Sequence, residues 1–162
     1  MTTRDHRPFA DSPLGELIDA VASAEVSPGA GAAGAISLAL AAACAGKAVA
    51  ITLKRHQDAT LNRAQAELAR IGRQALSGAD EDAVRFEDFI HHNDGHSTTQ
   101  LLKAEERLQS LAGSLAGILD DLETRIDHVV AADVAAARAL CRAFGVIQTR
   151  NLDETRRADT QR

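Results

Sequence analysis

The stretch that decides the fold is SPGAGAAGAISLALAAACAGKAVAITLKR, residues 27–55. Ser27-Pro28 is a helix-start signal: a serine hydroxyl can cap free backbone N–H groups, and proline is tolerated at the first helical position. From Gly29 onward the run is mostly Ala and Gly with a few larger aliphatics, and Lys47 is its one charge before Lys54 and Arg55. Ala is the strongest helix former. The stretch therefore predicts a helix from about Gly29 to Arg55 that is apolar on nearly every face. Such a helix is surrounded by other helices or by a partner subunit. It imitates a membrane span, but Ala and Gly gain little from lipid, and no strongly apolar run of about 20 residues exists. The better reading is a buried central helix and no membrane contact.

Working outward, residues 1–11 read as a loose N-terminal arm. Ser12-Pro13 repeats the start signal, and Leu14, Leu17, Ile18, Val21 and Ala22 recur at helical spacing, predicting a first helix to about Ala24. Downstream, Asp58 opens a third helix whose stripe is Leu61, Ala64, Leu68, Ile71 and Ala75. The pattern continues over Ala83, Phe86 and Phe89 or Ile90, which predicts one long helix, kinked or loosened near Gly78. Asn93-Asp94-Gly95 is a break. A fourth helix, from about Ser97 to Leu122, carries the seam Leu101, Leu108, Leu111, Leu115, Ile118 and Leu122. A last helix spans roughly Val129 to Val146, extending at most to Leu152, and residues 153–162 read as a frayed polar tail. The expected architecture is a single-domain, all-α bundle of five or six helices over residues 12–152.

Composition agrees. The 162 residues are 45% hydrophobic and 25% charged, which suits one globular domain and excludes disorder over most of the length. Aromatics make up 2%, Trp and Tyr are absent, and about one residue in five is Ala. Strands favour β-branched and aromatic residues, so an all-β fold is excluded. The net charge of −5 and scattered basic residues argue against nucleic acid as a partner. Cys44 and Cys141 lie far apart in Ala-rich stretches and suit reduced, helix-packed thiols in a cytoplasm. Arg4 and Arg7 are followed by Pro8, Asp11 and Glu16 rather than by an apolar run, so no signal peptide is visible.

Gly29-Ala30-Gly31-Ala32-Ala33-Gly34 matches the GxGxxG pattern of dinucleotide sites. That reading needs a preceding strand and a parallel sheet, and neither is signalled. Two readings stay open: close helix packing on small residues, or a ligand approaching the backbone at a helix N-terminus, where free N–H groups favour an anion.

Several segments together resemble the formiminotetrahydrofolate cyclodeaminase and methenyltetrahydrofolate cyclohydrolase family. They are Leu17-Ile18-Asp19-Ala20-Val21-Ala22-Ser23, the turn Ser27-Pro28-Gly29-Ala30-Gly31-Ala32, Asp80-Glu81-Asp82-Ala83-Val84-Arg85-Phe86, and Val130-Ala131-Ala132-Asp133-Val134-Ala135-Ala136. The resemblance implies an all-helical homodimer with a folate pocket lined by the Gly-rich turn and the long helices. It implies C–N cleavage or ring closure on a one-carbon unit bridging two folate nitrogens. No cofactor is implied beyond the tetrahydrofolate derivative itself, as substrate or ligand. The chain departs from the family pattern in places: Ala30 replaces the middle Gly of the turn, Ala32 its Ser, and Val130-Ala131 a Ser-Asp pair.

Water attack on a methenyl or formimino carbon needs a base for the water and an acid for the leaving nitrogen. Asp82 is the first candidate and Asp133 the second, the latter also paired with His128 as an alternative acid and base. Gly29 and Gly31 would shape the pocket. Lys54 and Arg55 would meet anionic ligand groups, or simply favour the helix C-terminus electrostatically. His91, His92 and His96, with Asp88 and Asp94, lack structural zinc spacing and read as a solvated loop rather than a metal site. The expected function is a cyclodeaminase or cyclohydrolase acting on a tetrahydrofolate one-carbon derivative. The rival expectations are a catalytically degenerate family member serving as a binding or scaffold dimer, and a helical partner subunit docking through the Leu101–Leu122 seam.

Overall fold

The computed structural model describes residues 7–92 and 94–160. The Ala-rich run forms a helix, as its composition demands, and four more helices stand around or beside it. They are α1 (Leu14–Ala22), α2 (Ala30–Leu53), α3 (Ala59–His92), α4 (Gly95–Leu122) and α5 (Ala131–Thr160), with no strand among the described residues. Short 3-10 turns at Phe9–Asp11 and His128–Val130 precede α1 and α5.

Local chemistry sets the helix starts. The Asp58 carboxylate accepts the Thr60 and Leu61 N–H groups at 2.7 and 3.2 Å and so begins α3. Asp94 and Ser97 form a reciprocal capping box at the start of α4. α2 differs: its N-cap is Gly29, which has no side chain to offer.

α2 packs on α3, α3 on α4, α4 on α5, and α5 on α2, closing a four-helix bundle. Ala35, Ala41, Ala42, Ala45 and Ala48 of α2 are fully buried or nearly so. Their small side chains let the neighbouring helices approach, and the larger buried volume comes from Leu38, Leu68, Ile71, Leu115, Leu119 and Phe144. α2 is long and apolar enough to cross a membrane by length and composition. In this fold its inner faces are occupied by α3 and α5.

Four expectations change. α2 is one member of the ring and not an enclosed central rod: Leu40 is 53% exposed, and Ala43 and Lys47 also face outward. α3 passes through Gly78 unbroken, because Leu108 of α4 packs over the space a side chain would fill. α5 runs to Thr160 where a frayed tail was expected, since Leu152 and Thr155 are buried and hold it against the bundle. Of the expected loose arm, residues 1–6 lie outside the described residues, but Phe9 is buried and its N–H donates to Asp80 Oδ1 at 2.9 Å. Asn93 of the expected break also lies outside them, as do residues 161 and 162.

Short connections make successive bundle helices antiparallel. The start of α2, the end of α3, the start of α4 and the end of α5 therefore meet at one end of the bundle. The end of α2 and the starts of α3 and α5 lie at the other.

Candidate functional site

At the first of these ends lies a cavity of about 290 Å³, near the lower limit for small-molecule sites. Gly29, Ala30 and Gly31 supply one wall, Asp82, Phe86 and Phe89 of α3 another, and Glu105 of α4 with Asn151, Glu154 and Thr155 of α5 a third.

Asp82 is buried, 6% exposed. Its carboxylate accepts the N–H of Ala32, in the first turn of α2. It does for α2 what the Gly29 cap cannot, from a different helix, and the partial positive charge of a helix N-terminus favours an anion there. Gly31 makes this possible, since a Cβ at that position would lie less than 3.0 Å from both carboxylate oxygens. The glycine pattern thus serves a side-chain carboxylate, and the dinucleotide reading has no sheet to rest on. Burial nevertheless dominates: it pushes the Asp82 carboxyl up from its ordinary 3.8 to about 6, against the opposing Ala32 hydrogen bond.

Glu105 is 2% exposed and lines the same cavity. Its Oε1 accepts the Thr155 hydroxyl at 3.2 Å, and its Oε2 has no hydrogen-bond partner among the described residues. Burial pushes its carboxyl up to about 7; the Thr155 hydroxyl and Arg156 oppose this, while Asp82 and Glu106 add to it. Gln148 Nε2 donates to the Glu105 carbonyl at 3.2 Å and ties α5 to this turn of α4.

Of the residues singled out from sequence, Gly29, Gly31 and Asp82 converge here. Lys54, Arg55 and Asp133 do not. α2 rises about 1.5 Å per residue, which puts Lys54 roughly 35 Å from Gly31 along the helix. Arg55 pairs with Asp127 at 2.5 Å, and Asp133 with Lys47 at 3.0 Å. His128, beside Asp127 at 3.3 Å, is 93% exposed at the same far end. The expected grouping of these residues with Asp82 therefore fails, because the antiparallel topology sends the start of α5 and the end of α2 away from the cavity. His91 and His92 turn back onto carbonyls of their own helix, those of Glu87 and Asp88, at 2.8 and 3.0 Å. Among the described residues no group of three His, Cys, Asp or Glu is arranged to hold a metal. Cys44 and Cys141 are unpaired, and burial pushes the Cys141 thiol up.

Glu105, Asn151, Glu154 and Thr155 were not expected at the site. Glu105 had a visible signal: it falls between Leu101 and Leu108 at helical spacing, inside the apolar seam of α4.

Comparison with known proteins fits this architecture. The crystal structure of formiminotetrahydrofolate cyclodeaminase from Thermotoga maritima matches with a TM-score of 0.86 at 20% identity, over 91% of this chain and 80% of that one. No curated protein matches the sequence. The family model described as formiminotransferase-cyclodeaminase matches residues 13–116, which span the glycine turn, Asp82 and Glu105. A match over well more than half of the chain, including the α2, α3 and α4 residues of the cavity, makes this protein a member of the formiminotransferase-cyclodeaminase family.

Proposed function

We propose that the protein acts on a tetrahydrofolate one-carbon derivative, cleaving or closing a C–N bond at a formimino or methenyl carbon. The observation that carries this is the Asp82 carboxylate, buried against the N-terminus of α2 and lining the cavity. A carboxylate that titrates near neutrality can take a proton from water or an attacking nitrogen and give it up again within a turnover.

The lining supports the substrate class. Three carboxylates, those of Asp82, Glu105 and Glu154, face no Lys or Arg among the lining residues. Both the protonated formimino group and the methenyl bridge spread a positive charge over an N–C–N unit, which suits such a wall. Phe86 and Phe89, with ring centroids 6.2 Å apart, add flat apolar surface for a pteridine-like ring. Gly29 and Gly31 let the substrate and Asp82 approach the α2 backbone. Lys54, Arg55 and Asp133 take no part in this proposal.

A cytoplasmic homodimer belongs to the same reading. The unpaired cysteines and the exposed apolar side chains Leu14, Ile18 and Leu40 support it, and light scattering checks the assembly.

The test is hydrolysis of methenyltetrahydrofolate followed by its own absorbance, with ammonia release from formiminotetrahydrofolate assayed in parallel. Acceleration by the wild-type chain that disappears in Asp82→Asn supports the proposal. The second reading, a family member that binds folate without turning it over, is favoured by Ala30 and Ala32 in the turn where the related pattern has Gly and Ser. Binding without acceleration of either reaction would select it.

A further inference from the structure

We propose that Glu105 is a second catalytic carboxylate, delivering the proton that Asp82 does not, and that Thr155 is its positioning residue. The inference rests on the folate reading above and extends it to two residues that the sequence did not single out.

The geometry is specific. Glu105 lies inside the α4 seam, where an apolar side chain would pack, and 2% of it is exposed. A buried carboxylate normally has both oxygens hydrogen-bonded, because an unmade bond there carries the full desolvation cost. Here the Thr155 hydroxyl engages Oε1 only, and Oε2 is left without a partner among the described residues in a side chain that lines the cavity. With the carboxyl proton on Oε2, the lone pair of a ligand nitrogen is what completes that oxygen.

The surroundings divide the labour between the two carboxylates. Asp82 sits on a helix N-terminus and accepts a backbone N–H, which favours its anion. Glu105 has a neutral hydroxyl as partner; burial, Asp82 and Glu106 raise its proton affinity, and the Thr155 hydroxyl and Arg156 lower it. Glu154 also lines the cavity. These surroundings favour the anion at Asp82 and the proton at Glu105.

In methenyl hydrolysis, Asp82 takes a proton as the water oxygen bonds to the methenyl carbon. In the resulting adduct one C–N bond breaks and its electron pair stays on nitrogen. Glu105 protonates that nitrogen and receives the hydroxyl proton as the formyl C=O forms. Asp82 then releases one proton to solvent, which balances the loss of the substrate's positive charge. In cyclodeamination of the protonated formimino group, the second folate nitrogen bonds to the formimino carbon and Asp82 takes its proton. Glu105 then protonates the amino nitrogen, the bond from carbon to that nitrogen breaks to release ammonia and leave the methenyl cation, and the proton on Asp82 passes back to Glu105.

The experiment compares wild type, Glu105→Gln, Thr155→Val and Thr155→Ser in methenyltetrahydrofolate hydrolysis across pH, with helicity and melting recorded for each. Glu105→Gln keeps the side-chain volume and an acceptor for Thr155. It should lower kcat by about a hundredfold or more and remove the alkaline limb of the kcat profile, while KM changes little. Thr155→Val should lower kcat and shift that limb, and Thr155→Ser should restore both. A folded Glu105→Gln with wild-type turnover and an unchanged pH profile overturns this proposal and leaves the folate reading intact. A wild-type chain that accelerates neither reaction overturns both. A Thr155→Val variant that merely melts lower, with the limb unmoved, overturns the positioning role.

Discussion

The Asp82 carboxylate lies directly over Gly31, so close that a single methyl group on that glycine would fall within 3.0 Å of both carboxylate oxygens. The clash is with a buried group held by the Ala32 N–H and not with a free surface side chain. Gly31→Ala should therefore displace Asp82 from the helix end. Helicity should be retained, because Ala is a better helix former than Gly, while methenyltetrahydrofolate hydrolysis and folate binding are lost. Circular dichroism and the absorbance assay together check this. Full binding and turnover in a helical Gly31→Ala protein would mean that the Asp82 position is irrelevant to the site.

Asp82 should also cost the protein stability at neutral pH. Its carboxyl titrates near 6 in the fold and near 3.8 when free. Between those values the folded chain holds a proton that the unfolded chain has lost, so stability falls as pH rises through this window and stays lower above it. Asp82→Asn removes that penalty. The variant should melt at a higher temperature than wild type at pH 8, by about 1–3 kcal/mol of stability, with the difference vanishing toward pH 4. The carboxylates held low by backbone N–H groups, Asp58, Asp94 and Asp127, titrate alike in both proteins and cancel. A more stable but inactive variant is the expected mark of a residue kept for chemistry.

The pattern of what could be read from sequence follows from where the information sits. Helix identity was legible because it is local: the Ala content of α2, the Leu14–Ala22 spacing and the α4 seam each declare a helix without reference to other segments. Asp82 and the glycines were legible through a motif that places them in one order along the chain. Glu105 and Thr155 meet across a sequence separation of 50, and nothing local announces that meeting. The antiparallel order of the helices does imply it. Short connections put the start of α4 beside the end of α3, and the same argument sends Lys54 and Asp133 to the opposite end. The full length of α5 is hidden in sequence because residues 153–160 are mostly polar, while the contacts that order them come from Leu152 and Thr155 on a single face.

Glycines in the long helices should separate into two kinds. A Cβ on Gly78 would lie 2.6 Å from Cδ2 of Leu108, itself 2% exposed, so the leucine side chain would have to leave its packed position. Overpacking of this sort costs about 1–3 kcal/mol, which outweighs the gain of about 1 kcal/mol in helix propensity. Gly78→Ala should therefore lower the melting temperature. Gly117, exposed in α4, has nothing within 4 Å of its added Cβ. Gly117→Ala should stabilise by about 0.5–1 kcal/mol. Thermal melts of the two variants should move in opposite directions, and a common direction would contradict the α3–α4 packing.

Asp133 provides the sharpest contrast with Asp82, since both were candidates for the same chemistry. Asp133 stands in the first turn of α5, and its Oδ1 meets Lys47 Nζ at 3.0 Å. The lysine side chain is 64% exposed and that of Asp133 24%. A pair this open to water contributes at most about 1 kcal/mol, and the helix-dipole interaction of Asp133 adds a few tenths. Asp133→Ala should therefore lower stability slightly and more so at low salt, where exposed charges are least screened. Its methenyltetrahydrofolate turnover and pH profile should equal those of wild type, while Asp82→Asn in the same assay is inactive. A large loss of kcat in Asp133→Ala at unchanged helicity would require the two ends of the bundle to act on one substrate. Lys47, which Asp133 meets, stands roughly 24 Å along α2 from Gly31, too far for both carboxylates to reach one reacting carbon.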